Sequence, residues 1–483
     1  MFFSILAPPR RQCKKDSTAV VHLIQYSMLS KTLVRNTLML TFVSLLMRLI
    51  GTAFQSRLAL SLGASGLGLY QLTLSLYNLW ATFAISGIRF TATRLVAEEL
   101  GGGRTGSIRA VMGRCLAYGG FFGLAAGALL QLLAEPLGFL WIGDARTVLS
   151  LRIAALSMPC ISLCAAISGY FTACGRVGKA AAVHLAEQLV GVALVMLLLR
   201  GEASEDLERR CAAVTLGRTG ADVFSFLLMS AVYLHDRRLH YRYGESGGKL
   251  SFRMLRLAVP LALSAYTRSA LTTLQQLLVP RGLREAGLTA DTALAGYGII
   301  QGMVMPLLFF PACLLGAAAE LIVPELTAAQ VRRDGAAIEN TAGKLVRISL
   351  HYSLAVYSVL LLCADLLGGM LYHSREAARF LRALAPLVPI MYTDIAVDGC
   401  LKGLGQQVWS MGVNIVEAAL GLLLMLFLLP RYGLSAYLAL LYFSEAFNLT
   451  LSWLRLRLCL RAARGGARRP CGGSAKCAYT AGR

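Results

Sequence analysis

The sequence predicts an all-α integral membrane protein of about 12 transmembrane helices, in two six-helix lobes related by a parallel internal repeat. The first observation is composition: 57% of the 483 residues are hydrophobic and only 15% are charged. Soluble chains carry about 25% charged residues, so a soluble enzyme, a disordered protein and a secreted disulfide scaffold are excluded. The second observation is a series of long apolar runs, and the third is a pattern of polar residues that recurs in both halves.

Apolar runs long enough to cross a bilayer, which takes about 20 helical residues, occur throughout the chain. In the first half they lie at about Leu33–Leu62, Leu67–Ile88, Ala110–Leu133, Val148–Thr172, Val177–Leu199 and Cys211–Leu234. In the second half they lie at about Leu255–Val279, Ala293–Val323, Leu345–Leu371, Phe380–Leu401, Val408–Leu429 and Leu434–Leu456. The most polar connection separates six runs from six, and it therefore marks the boundary between the predicted lobes.

Basic residues are distributed unevenly between the two sides of the membrane that these runs define. The net charge is +22, from 47 Lys and Arg against 25 Asp and Glu. The side that carries both termini holds 32 of the basic residues and the opposite side holds 12. Because basic residues concentrate in the cytoplasm, we expect a multi-pass protein with cytoplasmic N- and C-termini. The same bias explains the charge, so we expect no nucleic acid partner.

The domain boundaries follow from the same runs. We expect an N-terminal extension over residues 1–30 that is disordered or lies upstream of the true start, with Met28 as the alternative to Met1. The remaining units are an N-terminal lobe at 31–236, a cytoplasmic linker at 237–252, a C-terminal lobe at 253–461 and a basic cytoplasmic tail at 462–483.

An internal repeat relates the two predicted lobes. Shifts of 230, 226 and 220 residues bring residues of the first half onto identical types in the second; examples are Glu187 with Glu417, Glu99 with Glu325, and Arg48 with Arg268. Six helices are an even number, so both copies have the same orientation. The symmetry axis then runs along the membrane normal, with a central cavity between the lobes.

Two polar stripes share one composition and one spacing, in the first and the seventh predicted helix. Each contains Ser, Arg, Thr and Gln separated by four, four and three residues, which places them on one helical face. The residues are Ser44, Arg48, Thr52 and Gln55 in one stripe and Ser264, Arg268, Thr272 and Gln275 in the other. An arginine near the bilayer centre costs about 3 kcal/mol, so it faces protein or water. We predict that these residues and the nearby Arg57 bind substrate in the cavity; alternatively, each arginine pairs with an acid on a neighbouring helix.

Acidic residues within apolar runs are candidates for coupling transport to an ion. They are Glu187, Asp222, Asp394 and Glu417, and each could hold a proton or cation or neutralise a buried arginine. The chain has no phosphate-binding loop, no dinucleotide fingerprint and no His/Cys metal spacing. We therefore expect no cofactor, no metal and no catalytic residue, and we expect an ion gradient or the membrane potential to drive transport.

Several segments resemble the stage V sporulation protein B family. They are Met47–Phe54, Leu62–Gln71, Gly169–Gln188, Leu278–Leu288 and Tyr297–Pro306. The resemblance extends from Met28 to about Arg461. It implies a two-lobed transporter of the multidrug and toxin extrusion type that moves undecaprenyl-diphosphate-linked sugars across a bacterial plasma membrane. Many relatives have more helices, and Phe54 stands where such flippases often carry a second arginine.

These observations predict an alternating-access flippase or exporter of undecaprenyl-diphosphate-linked oligosaccharide, a peptidoglycan or spore-envelope precursor. We expect a monomer whose partners are this substrate and membrane lipids. The alternative within the superfamily is a cation-coupled multidrug exporter, which would need less positive charge in its cavity. A membrane-bound glycan polymerase or ligase would need large external loops, which the short connections do not provide. A structural protein of the spore envelope would not need a polar stripe in each half.

Overall fold

The computed structural model describes residues 18–102, 105–201, 206–240 and 250–467. Within these ranges the chain is almost entirely helical and contains no β-strand, which confirms the predicted all-α fold. Residues 1–17 of the predicted extension, 241–249 of the predicted linker and 468–483 of the predicted tail lie outside the described residues. The first helix already begins at Thr18, so residues 18–30 of the predicted extension are helical.

The N-terminal half contains seven α-helices in its described part. They are α1 (Thr18–Ile85), α2 (Ile88–Gly101), α3 (Ile108–Pro136), α4 (Val148–Ala155), α5 (Met158–Ala173), α6 (Val177–Gly201) and α7 (Leu207–His240). A π-helical segment, Leu137–Ile142, extends α3, and short 3₁₀ turns at Thr105–Ser107 and Ala145–Thr147 precede α3 and α4.

The C-terminal half contains eight α-helices in its described part. They are α8 (Leu250–Glu285), α9 (Ala290–Gly298), α10 (Met305–Val331), α11 (Gly335–Leu362), α12 (Ala364–Tyr372), α13 (Arg375–Leu384), α14 (Leu387–Gly403) and α15 (Gln407–Ala467). A π-helical segment, Ile299–Val304, joins α9 to α10.

The two longest helices each consist of two arms joined at one glycine. Gly63 divides α1 with φ 71° and ψ 179°, and Gly433 divides α15 with φ 56° and ψ −133°. A positive φ costs glycine nothing but strains other residues, so a single residue reverses the chain direction where the sequence predicted a connection between two spans.

The helices group into twelve crossings once these arms are counted separately and short helices are joined across bends. Among the described residues, six helices are long and apolar enough to span a membrane, and two bent pairs could bring the number to eight. The bent pairs are α4 with α5, at 46°, and α13 with α14, at 54°. Counting α15 as two arms adds one crossing, the two arms of α1 add two, and α8 adds one, which gives twelve. Each crossing overlaps one predicted apolar run.

Matched contacts in the two halves support the parallel repeat. Arg152 pairs with Glu135 in the first half, and Arg382 pairs with Asp365 in the second. Both residues of the second pair lie 230 positions after those of the first. Gly175 and Gly405, also 230 apart, have φ of 69° and 72° in the turns before α6 and α15. The exact extents of the two lobes stay predictions.

The two halves share their largest hydrophobic core at one end of the bundle, and at the other end the start of α8 packs against the N-terminal half. We name the end that holds Gly63 and Gly433 the outer end and the end that holds Gly175 and Gly405 the inner end, after the predicted topology. The largest core cluster joins both halves and includes Leu67 and Leu294 near the outer end. Two smaller clusters lie toward the inner end, one within α2–α7 and the start of α8 and the other within α10–α15.

Close helix crossing explains how the outer end is sealed. A β-carbon at Gly68 in α1 would lie 2.1 Å from the carbonyl oxygen of Leu294 in α9, and one at Gly298 would lie 2.2 Å from that of Ala64. Only glycine permits this approach. Ser56 also donates a 2.8 Å hydrogen bond to the carbonyl oxygen of Leu371. The bundle is therefore joined across its outer end by the shared core, and at its inner end by the start of α8, where Arg253 pairs with Glu98 at 2.5 Å.

Candidate functional site

Arg48 and Arg268 lie at equivalent places, on the first arm of α1 and on α8. Both side chains are exposed, and neither forms an ion pair with any residue in the described part of the chain. The alternative that each arginine serves as a packing counter-ion therefore finds no partner acid among the described residues.

The hydroxyl residues of the two stripes bond to their own helices in the same way. Thr52 donates to the carbonyl oxygen of Arg48, and Thr272 donates to that of Arg268, each at 3.0 Å. Ser264 donates to the carbonyl oxygen of Leu261 at 2.9 Å, and Ser44 is exposed. These bonds satisfy the hydroxyl donors of Thr52, Thr272 and Ser264, so the guanidinium of each stripe does not compete with them for those carbonyl oxygens.

The glutamines of the stripes tie helices together. Gln275 donates to the carbonyl oxygen of Ala418 at 2.9 Å, which joins α8 to α15. In the N-terminal half the corresponding tie comes from Gln188 of α6, which donates to the carbonyl oxygen of Met47 at 2.6 Å. Gln55 has a buried Nε2 without a hydrogen-bond partner and lines a cavity. Arg57 lies two residues farther along α1 and is exposed.

A polar cavity lies inside the N-terminal half, between α1, α6 and α7. It consists of two adjoining spaces of about 250 and 390 Å³. Both are lined by the same four ionisable residues, His184, Glu187, Arg218 and Asp222. We refer to it as the N-terminal cavity. Gln55 belongs to its wall, so this end of the first stripe reaches the cavity.

Arg218, Asp222 and Tyr77 form one contact group in this cavity. Tyr77 donates a 2.7 Å hydrogen bond from its hydroxyl to Oδ2 of Asp222, whose residue is 8% exposed. The guanidinium of Arg218 lies over the Tyr77 ring, 4.9 Å from its centroid. Arg218 and Asp222 are four residues apart and so project from the same face of α7. Arg218 is itself exposed, but unlike Arg48 and Arg268 it has an acid nearby, on its own helix.

Glu187 of α6 has two hydrogen-bond partners, one on α7 and one on its own helix. Ser225 donates to its Oε2 at 2.6 Å, and Nδ1 of His184 lies 3.1 Å from the same oxygen. Sequence reasoning identified Glu187 and Asp222 but not Tyr77 or Ser225, whose roles depend on contacts between helices. The only available signal for the group was the four-residue spacing of Arg218 and Asp222.

The C-terminal half holds its acids among amides rather than cations. Ser444 donates to Oε1 of Glu417, as Ser225 does to Glu187. Asn448 donates to Oδ2 of Asp394 at 3.4 Å and to Oδ1 of Asn414 at 3.1 Å. The other oxygen of Asp394 is buried without a partner. Buried carboxyls of this kind can exchange a proton, but the described residues contain no group of three or more His, Cys, Asp or Glu side chains arranged for a metal.

Comparison with known families finds two overlapping matches. The sequence model of the polysaccharide biosynthesis protein family matches residues 33–330, and that of the MatE family matches residues 285–427. Two curated relatives come from Bacillus subtilis (strain 168). Stage V sporulation protein B is 22% identical over 84% of this chain and 80% of its own length. Sporulation protein YkvU is 20% identical over 73% of this chain and 80% of its own.

Solved structures with the same fold are transporters. An inward-facing multidrug resistance MATE family transporter of the MOP superfamily superposes with a TM-score of 0.63, at 14% identity, over 87% of this chain and 99% of the other. A MOP superfamily transporter from Pyrococcus furiosus, described as having a binding pocket of reverse polarity, superposes with a TM-score of 0.60 at 13% identity, over 89% and 96%. An outward-facing MATE structure gives a TM-score of 0.56 at 14% identity, over 88% and 96%.

Proposed function

Since the chain belongs to the polysaccharide biosynthesis protein family, we propose that it is an alternating-access flippase of undecaprenyl-diphosphate-linked oligosaccharide. It is a multi-pass membrane protein with the fold of the MOP superfamily transporters, and its relatives are transporters rather than enzymes. In this proposal the glycan is a peptidoglycan or spore-envelope precursor, in keeping with the sporulation proteins among the relatives.

The observation that carries the proposal is the pair of arginines without acid partners. A diphosphate brings at least two negative charges into the cavity, and guanidinium groups bind phosphate oxygens through two parallel hydrogen bonds. Arg48 and Arg268 are exposed and free of ion pairs among the described residues. In a membrane such residues face a water-filled cavity rather than lipid. Their equivalent depth in the two halves lets both reach one substrate.

The shape of the bundle supports loading from the inner end. The largest core cluster joins the halves near the outer end, and two smaller clusters lie toward the inner end, where the start of α8 packs against the N-terminal half. In this proposal a central space between the halves opens inward. We infer from the excess of basic residues that this end and both termini face the cytoplasm. The lipid-linked precursor then enters from the cytoplasmic leaflet and leaves when the outer contacts separate.

We also infer that the acids of both halves couple transport to an ion gradient. Glu187, Asp222, Asp394 and Glu417 are the residues available for this role. Protonation of Asp222 would weaken its attraction to Arg218 on the same helix and the hydrogen bond that it accepts from Tyr77 of α1. Loss of the Tyr77 bond would free α7 to move against α1. Asp394 and Glu417 have no cation of this kind within hydrogen-bond reach, which makes them the better candidates for proton exchange.

A cation-coupled multidrug exporter is the second candidate function. The observation in its favour is the MatE family match over residues 285–427, the region that holds Asp394 and Glu417. A hydrophobic cation would be attracted by those acids but repelled by Arg48 and Arg268. The two functions therefore predict opposite effects when the arginines are neutralised.

The deciding experiment is reconstitution of the full chain in liposomes with two substrates compared side by side. A fluorescent undecaprenyl-diphosphate-linked glycan should be flipped, whereas a hydrophobic fluorescent cation should not be accumulated. Neutralising Arg48 and Arg268 should abolish glycan flipping, while the exposed Arg431→Ala control should retain it. Cation transport that persists or rises in the double variant would favour the multidrug exporter instead.

A further inference from the structure

A surface groove runs between α6 and α7 on the N-terminal half. Its volume is about 510 Å³, and most of its wall is apolar, from residues such as Ala182, Val183, Leu228 and Val232. Lys179 lies at its inner end. The groove shares no lining residue with the N-terminal cavity, so it is a separate feature and not an entrance to the polar interior.

The groove opens away from the cavity, toward the membrane. On α6, Lys179, Ala182 and Val183 line the groove, whereas Gln188 and Gly191 line the cavity. At 100° per residue these two sets lie on nearly opposite faces of the helix. Ala182 of α6 and Ala231 of α7 are exposed. An apolar channel of this kind has the width and surface to hold an acyl chain.

The inner end of the groove carries an excess of positive charge. Lys179 contacts Oδ1 of Asp236 at 2.6 Å, and the buried Asp236 also accepts hydrogen bonds from Arg176 and Tyr170. One carboxylate thus faces two cations, and an ammonium has three donors, so Lys179 can also serve an anion. His235 and Arg238 follow at the end of α7 and are both exposed.

The equivalent surface of the C-terminal half carries different side chains at the position of Lys179. The 230-residue shift places Lys179 on Trp409, and the 219-residue shift that relates Ser225 to Ser444 places His235 on Leu454. Both Trp409 and Leu454 are exposed. In the C-terminal half the guanidinium of Arg455 lies over the Trp409 ring, 4.9 Å from its centroid. The same face of the repeat therefore presents a lysine ammonium beside an apolar groove in one half and an arginine stacked on a tryptophan in the other.

We propose that this groove binds one anionic phospholipid of the inner leaflet, with an acyl chain between α6 and α7 and the phosphate at Lys179. The lipid is a resident partner of the transporter and not its cargo. Basic residues at the cytoplasmic end of transmembrane helices attract anionic headgroups with an energy that corresponds to about fivefold in affinity for each residue. The choice of leaflet rests on the proposed topology, whereas the site itself does not.

The test uses native mass spectrometry of the full chain, titrated with phosphatidylglycerol or with phosphatidylethanolamine. We expect one phosphatidylglycerol to bind about tenfold more tightly than phosphatidylethanolamine. Ala231→Phe should remove this preferred site by filling the groove without changing charge. Thr450→Phe is the matched control, because Thr450 is the exposed equivalent of Ala231 in the C-terminal half, and it should leave binding unchanged.

Charge variants provide a second measurement. Lys179→Met and His235→Ala should each reduce the preference for phosphatidylglycerol, the lysine change by about fivefold, whereas Lys344→Ala, an exposed lysine elsewhere at the inner end, should not. Equal binding of the two lipids, or equal loss in Ala231→Phe and Thr450→Phe, would overturn the proposal. Displacement of phosphatidylglycerol by equimolar undecaprenyl phosphate would assign the groove to the transported lipid and overturn it as well.

Discussion

The polar interiors of the two halves share one hydrogen bond between helices, but the side chains that surround their acidic residues differ. In each half a serine of the last crossing donates to a glutamate of the preceding one, Ser225 to Glu187 and Ser444 to Glu417. Around this shared bond the N-terminal half places Arg218 and His184 near its acids, whereas the C-terminal half places amides. The shared hydrogen bond indicates a common architecture, and the different residues around it indicate that each half has specialised.

A second matched contact, at the inner end, has changed its charges completely. Arg176 pairs with Asp236 in the N-terminal half, and the equivalent positions hold Gln406 and Arg455, which are joined at 2.8 Å. The turn before the fifth crossing is thus fastened to the end of the sixth in both halves. Position is retained while the chemistry of the fastening differs, so a contact that repeats does not by itself imply equal function.

The largest effect should come from Arg48 and Arg268, which are the same residue type at equivalent positions in the two halves. We expect Arg48→Ala and Arg268→Ala each to slow glycan flipping about thirtyfold, and the double variant about a thousandfold, because each charge-assisted hydrogen bond contributes about 2 kcal/mol. Lysine should restore flipping only in part, since it lacks the planar fork of arginine. Liposome flipping assays measure this. Strongly unequal single variants would show that the halves do not share the substrate evenly.

The second-largest effect should come from the cation beside Asp222, a feature that only the N-terminal half shows among the described residues. Arg218→Met should lower the free energy of unfolding by about 3 kcal/mol, because it leaves the buried Asp222 without a neighbouring cation. Adding Asp222→Asn should restore much of that loss. Thermal unfolding in detergent, followed by tryptophan fluorescence, measures both. Asp394→Asn, a change at an acid of the C-terminal half that is not equivalent in the repeat, should not destabilise the protein, since Asp394 has no ion pair among the described residues; a loss as large as that of Arg218→Met would contradict this comparison.

A smaller effect tests the shared bond. Ser225→Ala and Ser444→Ala should each reduce the free energy of unfolding by about 1 kcal/mol, the usual contribution of one hydrogen bond. The two losses should be similar, because both serines donate to a part-buried glutamate in the same place. Urea or thermal titration of the single variants gives the values. A bond that mattered in only one half would show that the framework itself has diverged.

The smallest effect concerns the paired contacts at the outer end. Arg152→Gln and Arg382→Gln remove ion pairs with Glu135 and Asp365, whose side chains are largely exposed. Exposed ion pairs contribute less than about 1 kcal/mol, so both variants should unfold within that margin of the parent and flip glycan at its rate. A clear loss of flipping in either one would assign these matched pairs a part in the movement of the outer end.

The sequence predicted whatever depends on residue order along one helix. Each crossing overlaps a predicted apolar run, and the stripes containing Arg48 and Arg268 follow from spacing alone. It did not predict the group of Tyr77, Arg218 and Asp222, because that group depends on how α1 and α7 meet. The sequence predicted a connection between the first two spans, but it did not predict that one glycine, Gly63, would form this connection without loop residues.

The division of the hydrophobic core has a consequence for synthesis of the chain. The inner core of the N-terminal half is complete by Ala258, so its contacts can form while the later crossings are still on the ribosome. The shared core needs partners as far apart as Leu58 and Leu440, and it must wait for almost the whole chain. Contacts between such distant residues form slowly. A chain arrested soon after α8 would therefore hold a finished half with an unburied outer surface, the state in which quality-control proteases would meet it.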